Sequence, residues 1–351
     1  MARVSVFVVS FLFLSNIALG QVNKNATQNC KNVYNYINSL EGEGNRVLVG
    51  QNCYHGNQIY DYGYTKLFKD LYDKTGKWAS LLSVDYEYEK IYSSNELHKC
   101  NLKLIEHWNA GGLVTINWTP IHPNGGNTRV KTAPQDLSTL FNRADWKTRI
   151  DVIADALKEL QESGVVVLFR PMQEMNNNWF WYASWRTENP ADPAPYKTHW
   201  INLYNYLTTT KGLNNLLWVY SPNEHYNPSW TKPVDYHFPG VGYVDIVAPT
   251  VYKNDLSIPD YSTLKSLGKP MGIAEYGTTY AKANGTIDTR EYINKIRSTY
   301  PEMKYFVCWH NWTNVSLAIA SNEFAGELFN DPWIITRDEV DLKIRAAKMV
   351  K

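Results

Sequence analysis

Short, almost entirely apolar runs recur along the chain and alternate with segments whose apolar residues follow a helical period. Such runs are typical of strands that are covered on both faces. Eight runs fit this description: residues 46–50, 79–85, 112–118, 165–170, 216–221, 244–248, 270–275 and 304–309. Helical patterns occur at residues 64–74, 95–108, 145–162, 196–209, 289–300 and 338–349, and the connection at 222–243 has the weakest pattern.

This alternation predicts a parallel sheet with helical crossovers. Eight strands in roughly 330 residues match a (β/α)8 barrel, for which about 250 residues are typical. The alternative is an open, doubly wound sheet, which usually has a glycine-rich turn after an early strand, but the chain contains no G-x-G-x-x-G. No linker or repeat marks a second unit. We therefore predict an α/β fold, a (β/α)8 TIM barrel that forms a single catalytic domain over residues 21–351.

The first 20 residues have the pattern of a secretory signal. Arg3 precedes an apolar run at 4–14, and Ala18-Leu19-Gly20 matches a small-x-small cleavage site. No later stretch approaches the roughly 20 apolar residues of a membrane span. The sequence thus predicts a signal peptide at 1–20 and a secreted, extracellular protein without membrane association.

Charge and aromatic content indicate the kind of partner. The chain has 35 Lys and Arg against 34 Asp and Glu, which argues against nucleic acid and favours a neutral partner. It also has 13 Trp, 25 Tyr and 11 Phe, more than one core needs, and clefts rich in rings suit sugars. We expect a monomer that binds a neutral polysaccharide.

Cysteines and sequons add predictions for a secreted chain. Cys30, Cys53, Cys100 and Cys308 predict two disulfides, and the sequence leaves all three pairings open. Five N-glycosylation sequons predict a glycoprotein; they are at Asn25, Asn117, Asn284, Asn311 and Asn314. Asn117 and Asn311 are the weaker acceptors, because they stand next to candidate site residues. The eight histidines show no H-x-H or H-E-x-x-H spacing, so we expect neither a metal nor another cofactor.

Two glutamates stand where predicted strands end, and in a TIM barrel the active site lies at the carboxyl ends of the strands. Glu174 follows the fourth strand and Glu275 ends the seventh. A carboxylate after an apolar strand is costly unless it is paired, hydrogen-bonded or used. A bridge to Arg170 would explain one glutamate but not both. Two carboxylates at one mouth are what a retaining glycosidase requires, at a separation of about 5–5.5 Å.

The segments around both glutamates resemble glycoside hydrolase family 26. They read FRPMQEMN at 169–176, WFW at 179–181 and IAEYG at 273–277. Further similar segments are WVYSPN at 218–223, YVDIV at 243–247, Tyr252 and WHNW at 309–312, so the resemblance extends from about residue 50 to 312. It implies a retaining endo-β-1,4-mannanase acting on mannan, glucomannan or galactomannan, with Glu174 as acid/base and Glu275 as nucleophile.

The sequence departs from the usual family pattern at three positions. Gln173 stands where members usually have His, and an amide forms hydrogen bonds but does not titrate. Thr119 and Thr250 stand where His and Asp are usual. We expect these changes to alter the pH profile and the preference for the sugar nearest the cleavage point.

Neighbouring residues have expected roles in this reading. Charge pairing with Arg170 would lower the pKa of Glu275 and keep it ionised. Tyr252 would donate a hydrogen bond to Glu275, and Trp309 would form the floor under the sugar ring. The remaining predicted substrate contacts are Gln173, Trp118, Trp179 and Trp312.

Other functions stay open from the sequence alone. The same barrel could act on β-1,3-xylan or mixed-linkage β-glucan with the same two glutamates. A non-catalytic carbohydrate-binding barrel is a second class, because a fold does not establish an activity. A structural or adhesive secreted protein would explain the rings by packing, but it would leave the two glutamates without a purpose.

Overall fold

The computed structural model describes residues 20–40, 46–126, 128, 136–183, 192–224, 227 and 229–340. The predicted signal peptide therefore lies outside the described residues except for Gly20. Most of the predicted last helix also lies outside them. Its first residues, 338–340, belong to a short 3-10 turn at Arg337–Glu339 and an extended residue after it.

Eight parallel strands close into a barrel, which confirms the predicted fold. They are β1 (Val47–His55), β2 (Leu81–Asp85), β3 (Leu113–Trp118), β4 (Val167–Pro171), β5 (Leu216–Tyr220), β6 (Ile246–Val247), β8 (Met271–Ile273) and β10 (Met303–Cys308). Each strand pairs with the next, and β10 pairs with β1 to close the ring. Nearly every strand residue is buried because helices cover the outer face and side chains fill the inside.

Three short strands lie outside the ring. Beyond the carboxyl ends of β6 and β8, strands β7 (Thr250–Tyr252) and β9 (Glu275–Gly277) pair with each other in parallel. The amide of Ala274 donates to the Pro249 carbonyl at 3.0 Å and joins the two extensions. Strand β11 (Ile334–Ile335) pairs with the first residues of β1. The β7–β9 pair places Glu275 at the mouth of the barrel.

Helices connect most of the strands. The α-helices are α1 (Gln28–Asn38), α2 (Asp70–Thr75), α3 (Ser94–Asn109), α4 (Ala144–Glu162), α5 (Ala194–Asn205), α6 (Tyr261–Ser266), α7 (Arg290–Thr299) and α8 (Ala325–Asn330). Two π-helical segments, Ile59–Lys69 and Tyr206–Thr210, precede α2 and extend α5. Single 3-10 turns occur at Leu140–Asn142, Tyr280–Lys282 and Ile319–Ser321. In the part of the chain that is described, no helix has the length and apolarity needed to cross a membrane.

The helical patterns at 95–108 and 145–162 correspond to α3 and α4 within a residue at each end. Helix α3 begins at a capping box, in which the Ser93 hydroxyl accepts from the Glu96 amide and the Glu96 carboxylate accepts from the Ser93 amide. The weak connection at 222–243 contains no helix among its described residues.

The prediction of two disulfides is wrong for this structure, because all four cysteines are free and buried. Their thiols occupy apolar positions in α1, β1, α3 and β10, where a cysteine packs as a small hydrophobic residue. Among the sequon residues, Asn117 is buried in β3, whereas Asn25, Asn284 and Asn314 are exposed. Glycosylation of the exposed residues stays a prediction.

Candidate active site

A cleft of about 920 Å³ opens at the carboxyl ends of the barrel strands. Active sites of TIM-barrel enzymes lie at this end of the barrel, because the loops that follow all eight strands meet there. Seven of the nine predicted site residues line it: Gln173, Glu174, Trp179, Tyr252, Glu275, Trp309 and Trp312. The sequence reading therefore identified residues from four loops that the fold brings together.

Glu275 is fixed at both carboxylate oxygens. Arg170, the fourth residue of β4, donates from Nη2 to Oε1, and the Tyr252 hydroxyl donates to Oε2 at 2.7 Å. Arg170 also donates from Nη1 to the Ala274 carbonyl at 3.3 Å. Glu275 and Arg170 are both buried, so the ion pair is shielded from water. These contacts hold the carboxylate in one orientation at the floor of the cleft.

Burial raises the pKa of Glu275, whereas the Arg170 charge and the hydrogen bonds from Arg170 and Tyr252 act in the opposite direction. The predicted lowering of the Glu275 pKa is therefore wrong: Arg170 acts in the predicted direction, but the loss of hydration has the larger effect and the pKa is raised. Burial and the nearby charge of Glu275 also raise the pKa of Tyr252 well above its usual value. Tyr252 consequently keeps its proton and remains a hydrogen-bond donor to Glu275.

Glu174 lies in a constrained loop after β4. Its backbone has a φ of 56°, in the left-handed region that few side chains adopt, and its amide donates to the Ser221 carbonyl at 2.7 Å. The Oε2 atom accepts from Trp179 Nε1 at 2.5 Å and from Asn177 Nδ2 at 3.2 Å. Strain of this kind concentrates at functional sites, where the surrounding contacts hold it.

The loop that carries Glu174 is held by neighbours on both sides. Tyr182 Oη donates to the Gln173 carbonyl at 3.0 Å and Tyr196 Oη donates to the Met172 carbonyl at 2.9 Å. Asn176 Nδ2 donates to the Asn223 carbonyl at 3.0 Å, and Asn176 Oδ1 accepts from the Asn223 amide at 2.8 Å. These bonds join the loop to the segment after β5 and fix the direction in which Glu174 faces the cleft.

Arg170 and Tyr252 both respond to the charges of the two glutamates. Burial lowers the pKa of Arg170, whereas the charges of Glu275 and Glu174 raise it. Both charges also raise the pKa of Tyr252. Glu174 and Glu275 also line the same cleft, so the two glutamates share one site.

The three departures from the usual family pattern fall around these carboxyls. Gln173 Nε2 donates to Thr119 Oγ1 at 2.5 Å, so two of the changed residues bind each other. Gln173 Oε1 is buried at the cleft and has no hydrogen-bond partner among the described residues. Thr250 pairs with Glu275 in the β7–β9 ladder, and its Oγ1 is likewise unpaired within the described part of the chain.

Aromatic side chains form the walls of the cleft. Trp309 lies at the end of β10, and Trp179 packs against Trp230 with ring centroids 5.5 Å apart. On another side, Trp312 is more than a third exposed and contacts Tyr280 at 5.0 Å. These faces suit the apolar side of a sugar ring.

Trp118 does not line the cleft. Its side chain is fully buried, stacks on Trp146 with centroids 5.8 Å apart and donates from Nε1 to Glu87 Oε2 at 3.2 Å. Glu87 is itself paired with Arg149. The predicted substrate contact of Trp118 is therefore corrected to a core position, because its ring is fully enclosed by contacts such as those with Trp146 and Glu87.

Sequence reasoning missed the carboxyls of Glu89, Glu224 and Asp255, which also line the cleft. Glu224 is buried four residues after β5, and burial raises its pKa to about 8, with the charge of Glu174 adding to the rise and that of Lys253 opposing it. A signal was present, since Glu224 follows a predicted strand as Glu174 and Glu275 do. His55 and Tyr88, which stack at 4.9 Å, are further cleft residues that the sequence analysis did not select.

No group of three or more His, Cys, Asp or Glu side chains with the geometry to hold a metal ion occurs among the described residues. The polar side chains that line the cleft are carboxyls, amides, hydroxyls, the imidazoles of His55 and His310 and the amine of Lys253, and the guanidinium of Arg170 donates to Glu275. Carboxyls in such a set are able to transfer protons and to form a covalent sugar ester.

Comparison with known proteins gives a consistent result. A Mannan endo-1,4-beta-mannosidase A and B of Caldalkalibacillus mannanilyticus is 34% identical over 363 residues, which cover 97% of this chain and 68% of the relative. A Mannan endo-1,4-beta-mannosidase of Bacillus subtilis (strain 168) is 32% identical and is matched over 91% of this chain and 88% of its own length. A solved structure of a Bacillus subtilis mannanase has a TM-score of 0.78 at 28% identity, over 92% of this chain and 96% of that one. The sequence model of glycosyl hydrolase family 26 matches residues 22–339, and the chain is therefore a glycoside hydrolase that belongs to this family.

Proposed function

We propose that the protein is a secreted endo-β-1,4-mannanase that cleaves internal bonds of mannan, glucomannan or galactomannan with retention of configuration. The observation that carries the proposal is the contrast between two carboxyls in one cleft. Glu275 is held by a cation and a hydroxyl, whereas Glu174 accepts hydrogen bonds from two neutral N–H groups. The two relatives named above are mannan endo-1,4-beta-mannosidases, which supports mannan as the substrate.

In the first step, a carboxylate oxygen of Glu275 attacks the anomeric carbon while the bond from that carbon to the leaving oxygen breaks. Glu174 transfers its proton to the leaving oxygen, so the departing chain leaves as a neutral alcohol. The hydrogen bonds from Arg170 and Tyr252 orient Glu275 before the attack. Orientation of this kind lowers the entropy cost of reaching the transition state.

In the second step, Glu174 is a carboxylate and takes a proton from water. The oxygen of that water attacks the anomeric carbon, the ester bond to Glu275 breaks, and the carboxylate of Glu275 is restored. Two inversions at one carbon give net retention. Glu174 ends the cycle protonated, and no further reactant is required.

The first test is product release from mannan, glucomannan, β-glucan and xylan by the wild-type protein and by two variants. Glu275→Ala should lose activity by about 10⁴-fold and still bind substrate, because the nucleophile is gone. Glu174→Gln should keep part of its activity on substrates with activated leaving groups, which need no acid. The matched control is Glu89→Gln, since Glu89 is an exposed carboxyl of the same cleft.

The possible outcomes distinguish the substrate, the mechanism and the roles of the two glutamates. Short manno-oligosaccharides from the wild type, released first as the β-anomer in an NMR time course, support both the substrate and the retention. Products from β-glucan or xylan instead keep the two glutamates and change the substrate. Binding without any product would favour the carbohydrate-binding barrel, and a Glu275→Ala variant that retains activity would refute the assignment of the nucleophile.

We also propose that residues 1–20 direct secretion and that residues 21–351 act as one monomeric domain. Expression of the full chain in a secreting host tests both statements. N-terminal sequencing of the protein in the medium should start at Gln21, and sedimentation should give the mass of one chain. Retention of the protein in the cells, or a dimer mass, would contradict the corresponding statement.

A further inference from the structure

A line of rings continues from the cleft to the outer surface of the barrel. Tyr280 contacts Trp312 at 5.0 Å, and Trp312 contacts His310 at 6.1 Å between ring centroids. His310 contacts Tyr54 at 4.4 Å, and Tyr54 contacts Tyr62 at 5.7 Å. Tyr62 lies outside the cleft and is 52% exposed. The line thus joins the lining of the active site to an exposed ring above the end of β1.

The backbone at Tyr54 has an unusual conformation that directs its side chain toward this line of rings. Its φ is 73°, and the pairing of β1 with β2 shifts register between Asn52 and His55. Asn52 Oδ1 accepts from the Tyr54 amide at 3.0 Å and lies 2.7 Å from His310 Nδ1. A bulge beside an active site re-aims a side chain, and a strained residue held by its neighbours is a reason to seek a function.

Tyr62 reaches Tyr54 because the segment Ile59–Lys69 packs closely on β1. A Cβ atom at Gly63 would lie 2.3 Å from the Cys53 carbonyl oxygen, so only glycine permits this approach. Tyr60 is two residues before Tyr62 and therefore lies on a different side of the helical segment, where Lys103 Nζ is 5.7 Å from its ring. The two tyrosines are comparably exposed, but only Tyr62 contacts the ring of Tyr54.

The proposed reaction indicates which part of the substrate, before or after the scissile bond, would contact this line of rings. Glu174 protonates the leaving oxygen, so the departing chain lies on the side of Glu174 and Trp179. The sugar attacked by Glu275 and the sugars before it lie on the opposite side. Trp309 follows β10, which pairs with β8, the strand that leads to Glu275, and its ring is 5.0 Å from that of His310 in the line of rings.

We propose that Tyr54 and Tyr62 form a distal sugar-binding site for the non-reducing part of a long, neutral β-glycan whose scissile bond lies in the cleft. The inference rests on the proposed function for the direction in which the glycan chain is bound. Aromatic faces bind the C–H side of sugar rings, and the tyrosine hydroxyls supply hydrogen bonds without charge. The occupant is the substrate itself, because the rings are continuous with the cleft.

The test measures binding and not turnover, so it is separate from the test of activity. Manno-oligosaccharides of graded length are titrated calorimetrically into the Glu275→Ala protein and into that protein with Tyr62→Ala or Tyr60→Ala added. Tyr62→Ala should weaken binding of the longest oligomers by about 2- to 10-fold and leave the shortest unchanged, since one stacked ring is lost. Tyr60→Ala should behave as its parent at every length, and Tyr62→Phe should retain most of the affinity.

Steady-state kinetics of the active enzyme provide a second test of the distal site. Tyr62→Ala should lower kcat/KM on polymeric mannan but not on the shortest oligomer that is cleaved, with kcat unchanged. An equal loss at every length, or no difference between the Tyr62 and Tyr60 variants, would overturn the inference while leaving the activity intact. Length-dependent binding without any turnover would instead support the distal site and refute the proposed reaction.

Discussion

The burial of Glu224 and the charges near it lead to a prediction about the pH dependence of stability. The side chain is 4% exposed at the wall of the cleft, and burial raises its pKa from 4.5 to about 8. The charges of Glu174, Asp260 and Asp255 add to the rise, and that of Lys253 reduces it. Replacement of Glu224 by Gln keeps the shape and hydrogen-bonding capacity of the side chain but removes its proton equilibrium.

The sign and size follow from linkage. Below pH 4.5 the carboxyl is protonated in the folded and unfolded chain, and its contribution to stability is fully present. Between pH 4.5 and about 8 the unfolded chain releases the proton while the folded chain retains it, so stability falls as pH rises. Complete passage through this window corresponds to ~5 kcal/mol. Glu224→Gln should therefore match the wild type near pH 4.5 and exceed its stability increasingly above that value.

Guanidinium unfolding followed by tryptophan fluorescence, repeated at several pH values across this window, measures the difference between variant and wild type. The difference cancels the contribution of titrating groups that do not interact with Glu224. Glu89→Gln is the control, because Glu89 is exposed at the same cleft and its replacement should leave the pH profile of stability unchanged. A difference between Glu224→Gln and the wild type that stays constant with pH would refute the reasoning.

Two further substitutions test single contacts. Tyr252→Phe removes the 2.7 Å hydrogen bond to Glu275, so kcat should fall by ~10- to 100-fold with a smaller change in KM; an unchanged kcat would show that the bond is dispensable. Gly63→Ala places a Cβ atom 2.3 Å from the Cys53 carbonyl oxygen and should lower the free energy of unfolding by ~1–3 kcal/mol. Gly242→Ala, where a Cβ meets nothing within 4 Å, is its control, and equal effects of the two would contradict the packing argument.

The strands were predictable because burial on both faces leaves a continuous apolar run. The run at 270–275 predicts one strand, but the structure divides it at Ala274, whose amide bonds to Pro249 in place of the barrel ladder. Helix α1 was missed although Cys30, Val33, Tyr34 and Ile37 follow a helical period, because its other residues are polar. Helices of six residues, such as α6 and α8, are too short for a periodic pattern to be recognised.

Within the site, the sequence indicated which strand ends carry chemistry but not which atoms meet. Barrel topology places Glu174 and Glu275 at one mouth, and the structure agrees. It does not decide whether a nearby ring lies in the cleft or behind it, and for Trp118 the answer was the core. That difference depends on partners distant in the sequence, here Trp146 and Glu87, which local patterns do not specify.

The contacts that define the site join residues that are far apart in the sequence. The separations are 54 positions for Gln173–Thr119, 105 for Arg170–Glu275 and 258 for His310–Asn52. No local pattern contains such pairs, so residue replacements that look independent in the sequence are coupled in the fold. Because Gln173 and Thr119 bind each other at 2.5 Å, a change at either one alone leaves a buried polar group without its partner. The two departures from the usual family pattern are therefore one structural change, and their effect on sugar preference has to be tested with both residues replaced together.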